Sequence, residues 1–80
     1  MGISPAQCRA ARSLLGWSQD QLSSASKVAK ATIANFETGK RAPYERTLLD
    51  IQAALEEAGL VFVADGETST AGEGVRIRNA

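Results

Sequence analysis

The stretch WSQDQLSSASKVAKATIANFETGK, residues 17–40, constrains this chain more than any other. Ser18 followed by Gln21 is a capping box: the serine hydroxyl accepts from the third helical amide and the glutamine reaches back to the cap. Asp20 stands in the first turn, where the positive end of the helix dipole favours an acid. Trp17 and Leu22 take the positions of a hydrophobic staple, which sets the angle to whatever precedes them. Leu22 and Ala25 read as the inward residues, and Ser23 as small enough to let a following helix approach. Residues 26–29, SKVA, read as a tight turn whose only strongly apolar member, Val28, plugs the crevice between two helices. After it, KATIANFETG has a single inward seam of Ile33 and Phe36 at helical spacing, closed by Gly39. With Ile33 taken as inward and about 100° per residue, Glu37 falls only ~40° away, so its carboxylate is expected to be partly buried. The opposite side is small and polar: Ala31, Asn35 and Thr38, flanked by Thr32 and Ala34. This stretch therefore predicts two short helices joined by a tight turn, the second presenting a small polar face.

The flanks supply cover for that pair. Ser4, Pro5 and Gln7 open a first helix as cap, first helical residue and box-closing glutamine, with Ile3 and Cys8 at the staple positions. Cys8, Ala11, Leu14 and Leu15 share one face, Arg12 sits at its border, and Gly16 ends the helix. Beyond the central pair, Lys40 and Arg41 make a basic loop that ends in Pro43. A fourth helix over residues 44–58 carries Leu48, Ile51 and Leu55 on one stripe, thickened by Leu49, Ala53 and Ala54, and stops at Gly59. Glu56 and Glu57 in its last turn oppose the helix dipole.

From Leu60 the period changes. LVFVA is β-branched and aromatic, ADGETSTAGEG is a loop sequence, and VRIR alternates strictly, with Val75 and Ile77 on one side and Arg76 and Arg78 on the other. These features predict a hairpin with a mobile tip. A lone two-stranded hairpin is marginal in water and LVFVA is apolar on both faces, so pairing with a second subunit is expected, through Leu60, Phe62, Val75 and Ile77. The chain thus divides at residue 59 into a helical domain, 1–59, and a C-terminal hairpin, 60–80, serving as a dimerisation element. Whether the strands pair within or between subunits is open at this level.

Composition narrows the function. One cysteine and no histidine exclude a disulfide framework and leave no zinc constellation. No apolar run approaches the roughly 20 residues of a membrane span and no secretory leader opens the sequence, so a cytoplasmic protein is expected. The formal net charge is zero, but it is unevenly spread. Residues 1–46 carry seven basic and three acidic side chains, a surplus of four positive; residues 47–80 carry two basic and six acidic, a surplus of four negative. A basic front half of this kind steers one face toward phosphates. Enzymatic chemistry has little to work with: the glycine-rich segment at residues 66–74 precedes a strand rather than a helix, unlike a phosphate-cradling loop.

Taken as an ordered set, LGWSQDQLSSASKVAKATIANFETGKRAP resembles the lambda-repressor-like helix-turn-helix family, the Cro and Xre-type repressors, over about residues 7–55. The resemblance implies a mainly α, four-to-five-helix DNA-binding domain, here with a short C-terminal β-hairpin. It implies a transcription regulator that binds double-stranded DNA as a homodimer without a cofactor, among the proteins of the nucleoid. The helix at about residues 29–38 would enter the major groove. By this resemblance Lys30, Ala31, Thr32 and Asn35 match base-facing positions, where lysine suits guanine, asparagine suits adenine and a Thr or Ala methyl suits thymine. Gln19 matches a phosphate-binding glutamine at a helix start, and Lys40 and Arg41 match loop positions that grip the backbone. Arg12 and Glu37 match a structural pair linking the first helix to the third. Two departures stand out. The turn has Lys27 where the family has glycine, and the third helix has Ala29 where the family prefers a serine cap. Each costs about 1 kcal/mol, and Lys27 is expected to recover part of it on a phosphate. An alternative is a protein-binding module, an antitoxin or co-regulator whose hairpin docks on a protein partner.

Overall fold

The computed structural model describes residues 2–64 and 72–78. Among these the chain forms α1 (Pro5–Leu15), α2 (Gln19–Ser26), α3 (Lys30–Glu37) and α4 (Glu45–Glu57), then β1 (Leu60–Val63) and β2 (Gly74–Ile77). The mainly helical class with a terminal hairpin is as expected, with four helices. Of the segment expected to form the mobile tip, residues 64–74, residues 65–71 lie outside the described residues.

Helix starts and stops fall where local chemistry puts them. Ser4 and Ser18 are both extended N-caps in complete capping boxes with Gln7 and Gln21. Gly16 (φ 69°) ends α1 in the left-handed conformation that glycine adopts without a side-chain clash. Gly39 (φ 76°) does the same just beyond α3.

The core is one cluster fed by every helix and by the hairpin: Ile3, Cys8, Ala11, Leu22, Val28, Ile33, Phe36, Ile51, Ala54, Leu55 and Leu60. Leu15, Trp17, Leu48, Phe62 and Val75 pack against it, half-buried. Four residues expected inside lie outside: Leu14 and Leu49 are exposed, and so are Ala25 and Ala53. In a chain this small there are too few elements to cover a broad apolar stripe on each helix, so only the centre of each stripe is buried.

The strands pair antiparallel within the chain, Leu60 opposite Ile77 and Phe62 opposite Val75. Leu60, Phe62 and Val75 face the helices, and Leu60 is completely buried in its own subunit. Its side chain is therefore not available to a second subunit, whereas Ile77 is 60% exposed and Val61 36%. Gln7 fastens the hairpin to α1. While its Oε1 accepts from the Ser4 amide (2.9 Å), its Nε2 donates to the carbonyls of Val63 (3.1 Å) and Gly74 (2.9 Å), one from each strand. The Ser4 hydroxyl also donates to Glu73. At the other end, Arg78 Nη2 donates to the Glu56 carbonyl (3.2 Å). That cation, just beyond β2, offsets the acidic end of α4, where Glu56 and Glu57 oppose the dipole.

Candidate nucleic-acid interface

The turn between α2 and α3 is aimed by two serines. Lys27 adopts φ 65°, a left-handed conformation unfavourable to a side chain, and Ala29 caps α3 with no side-chain hydrogen bond. Around them, Ser23 Oγ donates to the Val28 carbonyl (2.6 Å) and Ser26 Oγ to the Leu22 carbonyl (2.7 Å). The Val28 amide in turn donates to Ser26 Oγ (3.3 Å). Ser26, expected in the turn, is the buried last residue of α2, and Ser23 is more than a small spacer. Val28 is buried beneath them, as its place between two helices predicts.

The far end of α3 is held by a buried polar cluster centred on Glu37, only 2% exposed. Arg12 grips its carboxylate with two parallel bonds, Nε to Oε2 and Nη2 to Oε1, both 2.7 Å. Its remaining nitrogen, Nη1, donates to the Trp17 carbonyl (2.9 Å), so one guanidinium joins α1, the α1–α2 connection and α3. Gln19 Nε2 donates to Glu37 Oε1 (3.0 Å) and the Cys8 thiol to Oε2 (3.2 Å). Arg9 donates to the Glu37 main-chain carbonyl, placing a cation at the negative end of α3.

Burial pushes the Glu37 carboxyl up, but the hydrogen bonds from Arg12, Gln19 and Cys8 and the Arg12 charge outweigh it. The carboxyl is held below its ordinary value. The same hydrogen bond raises Arg12, which stays charged. Burial, then the hydrogen bond to Glu37, pushes the Cys8 thiol up to about 12, so it remains a neutral donor.

Anchored in this way, α3 turns its other side outward. Lys30 and Ala31 are exposed, and Thr32 and Asn35 are half-buried. Ala31, Thr32 and Asn35 line a cleft of about 470 Å³ together with Lys27 from the turn and Arg41 from the following loop. Four of the seven residues matched to DNA contacts by resemblance, Ala31, Thr32, Asn35 and Arg41, thus come together in one groove with Lys27, the departure expected to reach a phosphate. Lys30, Lys40 and Gln19 do not line it. The Lys30 ammonium lies 3.3 Å from Asp20 Oδ2, Lys40 is exposed on the loop, and the Gln19 amide is engaged by Glu37. The loop is set by α3 itself, since the amides of Lys40 (2.9 Å) and Arg41 (3.2 Å) both donate to the Asn35 carbonyl.

Beside the acidic Asp50, the cleft is also lined by Tyr44 and Thr47. Neither was singled out by sequence, where Tyr44 reads only as the start of α4. The signal is its 85% exposure, unusual for an aromatic residue and visible only once the loop is folded.

No helix among the described residues is long and apolar enough to cross a membrane. A family model described as helix-turn-helix matches residues 9–59, which takes in all of α2, α3 and α4 and most of α1. No curated protein matches the chain. With well over half its length matched, the two helices joined at Lys27 and the groove beside α3, the chain belongs to the Cro/C1-type helix-turn-helix family of DNA-binding transcription regulators.

Proposed function

We propose that the chain is a sequence-specific regulator that binds duplex DNA as a homodimer, with α3 in the major groove. The observation that carries this reading is the groove shared by Lys27, Ala31, Thr32, Asn35 and Arg41. Small side chains on α3 allow close approach to base edges, and Lys27 and Arg41 in the groove's lining supply positive charge for phosphates. Asn35 has the amide for adenine, Lys30 the ammonium for guanine, and Ala31 and Thr32 the methyls for thymine. Lys27, Lys40 and Arg41 neutralise phosphates. Gln19 Nε2 has a second N–H beyond the one given to Glu37, and this is the group it offers to a phosphate.

The dimer contact is assigned to the hairpin at Ile77, which is exposed at the edge of the face that carries Leu60, Phe62 and Val75, while Val61 is exposed on the opposite face. Two half-sites then lie about 34 Å apart, one turn of the duplex. The same exposed aliphatics support a second reading, a hairpin that docks on a different protein. Sedimentation separates the two: a dimer that Ile77→Asp converts to monomer favours the first, and a wild-type monomer the second.

The DNA reading is tested by selecting bound duplexes from a random pool and titrating the variants against them. Asn35→Ala relaxes base preference at one position per half-site. Lys40→Ala weakens binding to all duplexes alike and lowers the salt slope by about one. If the wild-type chain shows no salt-sensitive duplex binding, the proposal is abandoned.

A further inference from the structure

The exposed pair Asp20–Lys30 stands at the front of the motif and has no part in the core. Asp20 is in the first turn of α2, where the helix dipole favours it, and Lys30 is the first residue of α3. Their charged atoms are 3.3 Å apart, with the side chains 74% and 56% exposed respectively. Both helices are fixed beneath them by Leu22, Val28 and Ile33, so the separation of the two backbones is set by buried packing. An acid in this position is electrostatically unfavourable to a polyanion. It also occupies the one cation that opens α3.

We propose that Asp20 is a specificity-determining residue that acts through Lys30; the inference rests on the DNA-binding reading above. An ammonium has three N–H donors and no preferred plane, so a free lysine at this position bonds any phosphate within reach. With one donor held by Asp20, the ammonium is pulled toward α2 and two donors remain. Those two match the adjacent O6 and N7 acceptors of guanine. Against a duplex without guanine at that step, Lys30 keeps its carboxylate partner, releases no counterion and gives no general affinity. Asp20 thus suppresses binding to wrong sequences more than binding to the right one. The arrangement converts a non-selective cation into a selective one.

The experiment compares the wild-type chain, Asp20→Asn, Lys30→Met and the double variant on a selected duplex and on a scrambled duplex, by fluorescence anisotropy across a salt series. Asparagine preserves the size of the side chain, and circular dichroism confirms that each variant is folded. Asp20→Asn is expected to tighten the scrambled duplex by up to about fivefold, the scale of an exposed ion pair. It steepens the salt slope on that duplex by about 0.9, one extra phosphate contact. The selected duplex changes by less than about twofold, so the specificity ratio falls. In the Lys30→Met background, Asp20→Asn leaves that ratio unchanged. Equal tightening of both duplexes overturns the proposal, since Asp20 then acts only as a diffuse negative charge. No change on either duplex overturns it as well. If the wild-type chain binds neither duplex, the DNA reading fails and takes this inference with it, whereas binding with an unaltered ratio removes only this inference.

Discussion

At its C-terminal end α3 is held by Arg12, Gln19, Cys8 and Arg9, all converging on one residue, Glu37, while the following loop folds its amides onto Asn35. At its N-terminal end there is no side-chain cap, the preceding residues include a strained lysine, and the first side chain pairs with an exposed carboxylate. The same eight-residue helix is thus clamped at one end and open at the other. Unpaired amides at a helix start suit an anion, and a rigid far end lets them be aimed. Stability is concentrated away from the surface proposed to read DNA, so that surface is free to be composed for a ligand.

Breaking the clamped end has the largest expected effect. Glu37→Ala strands the Arg12 guanidinium and two further donors, and costs roughly 3 kcal/mol, the lower end for a broken buried pair because Arg12 retains some solvent. A domain of this size has only a few kcal/mol in hand, so much of the population unfolds, which urea denaturation reads as a lower midpoint. Acid acts on the same residue. Because the fold holds the Glu37 carboxyl below its ordinary value of 4.5, its contribution is complete above that pH. The contribution is lost as pH falls through the folded value. Wild type should lose stability below about pH 4.5 more steeply than Glu37→Gln, measured by the denaturation midpoint at successive pH values.

Weakening the turn comes next. Ser23→Ala leaves the Val28 carbonyl without its hydroxyl partner and is expected to cost about 1–1.5 kcal/mol. Hydrogen exchange at the start of α3 should speed up more than exchange at its end. Improving the open end gives the smallest change: Ala29→Ser supplies the missing cap and stabilises the chain by about 1 kcal/mol. If Ala29→Ser stabilises as much as Glu37→Ala destabilises, the two ends are not as unequal as the contacts indicate.

What could be read from the sequence was local or periodic. Ser4 with Gln7 and Ser18 with Gln21 announce helix starts because both partners lie within one turn. The inward placement of Glu37 follows from its angle to Ile33. What could not be read depended on where distant backbone would pass. Gln7 closes a capping box and also bridges both strands of the hairpin, but its Nε2 partners lie more than fifty residues away. Ser23 pins the turn through the Val28 carbonyl, whose direction is set only after Lys27 has bent the chain. The outward positions of Leu14, Ala25, Leu49 and Ala53 follow from which neighbours reach them, which period alone does not specify. The site was legible as a set of types and spacings. Its groove, lined also by Tyr44 and Thr47, required the loop to fold back on Asn35.

Cys8 is the chain's only cysteine, fully buried, with its thiol donating to Glu37 and pushed up to about 12. A thiolate is what alkylating and oxidising agents attack, and here it is withheld both by cover and by protonation. Modification must therefore wait until α1 lifts from α3, the same event that releases α3 from its anchor. The rate of labelling at this one sulfur is a native clock for that opening. A duplex that holds α3 in place should slow it in proportion to occupancy, so the protein carries its own untagged reporter of whether it is bound.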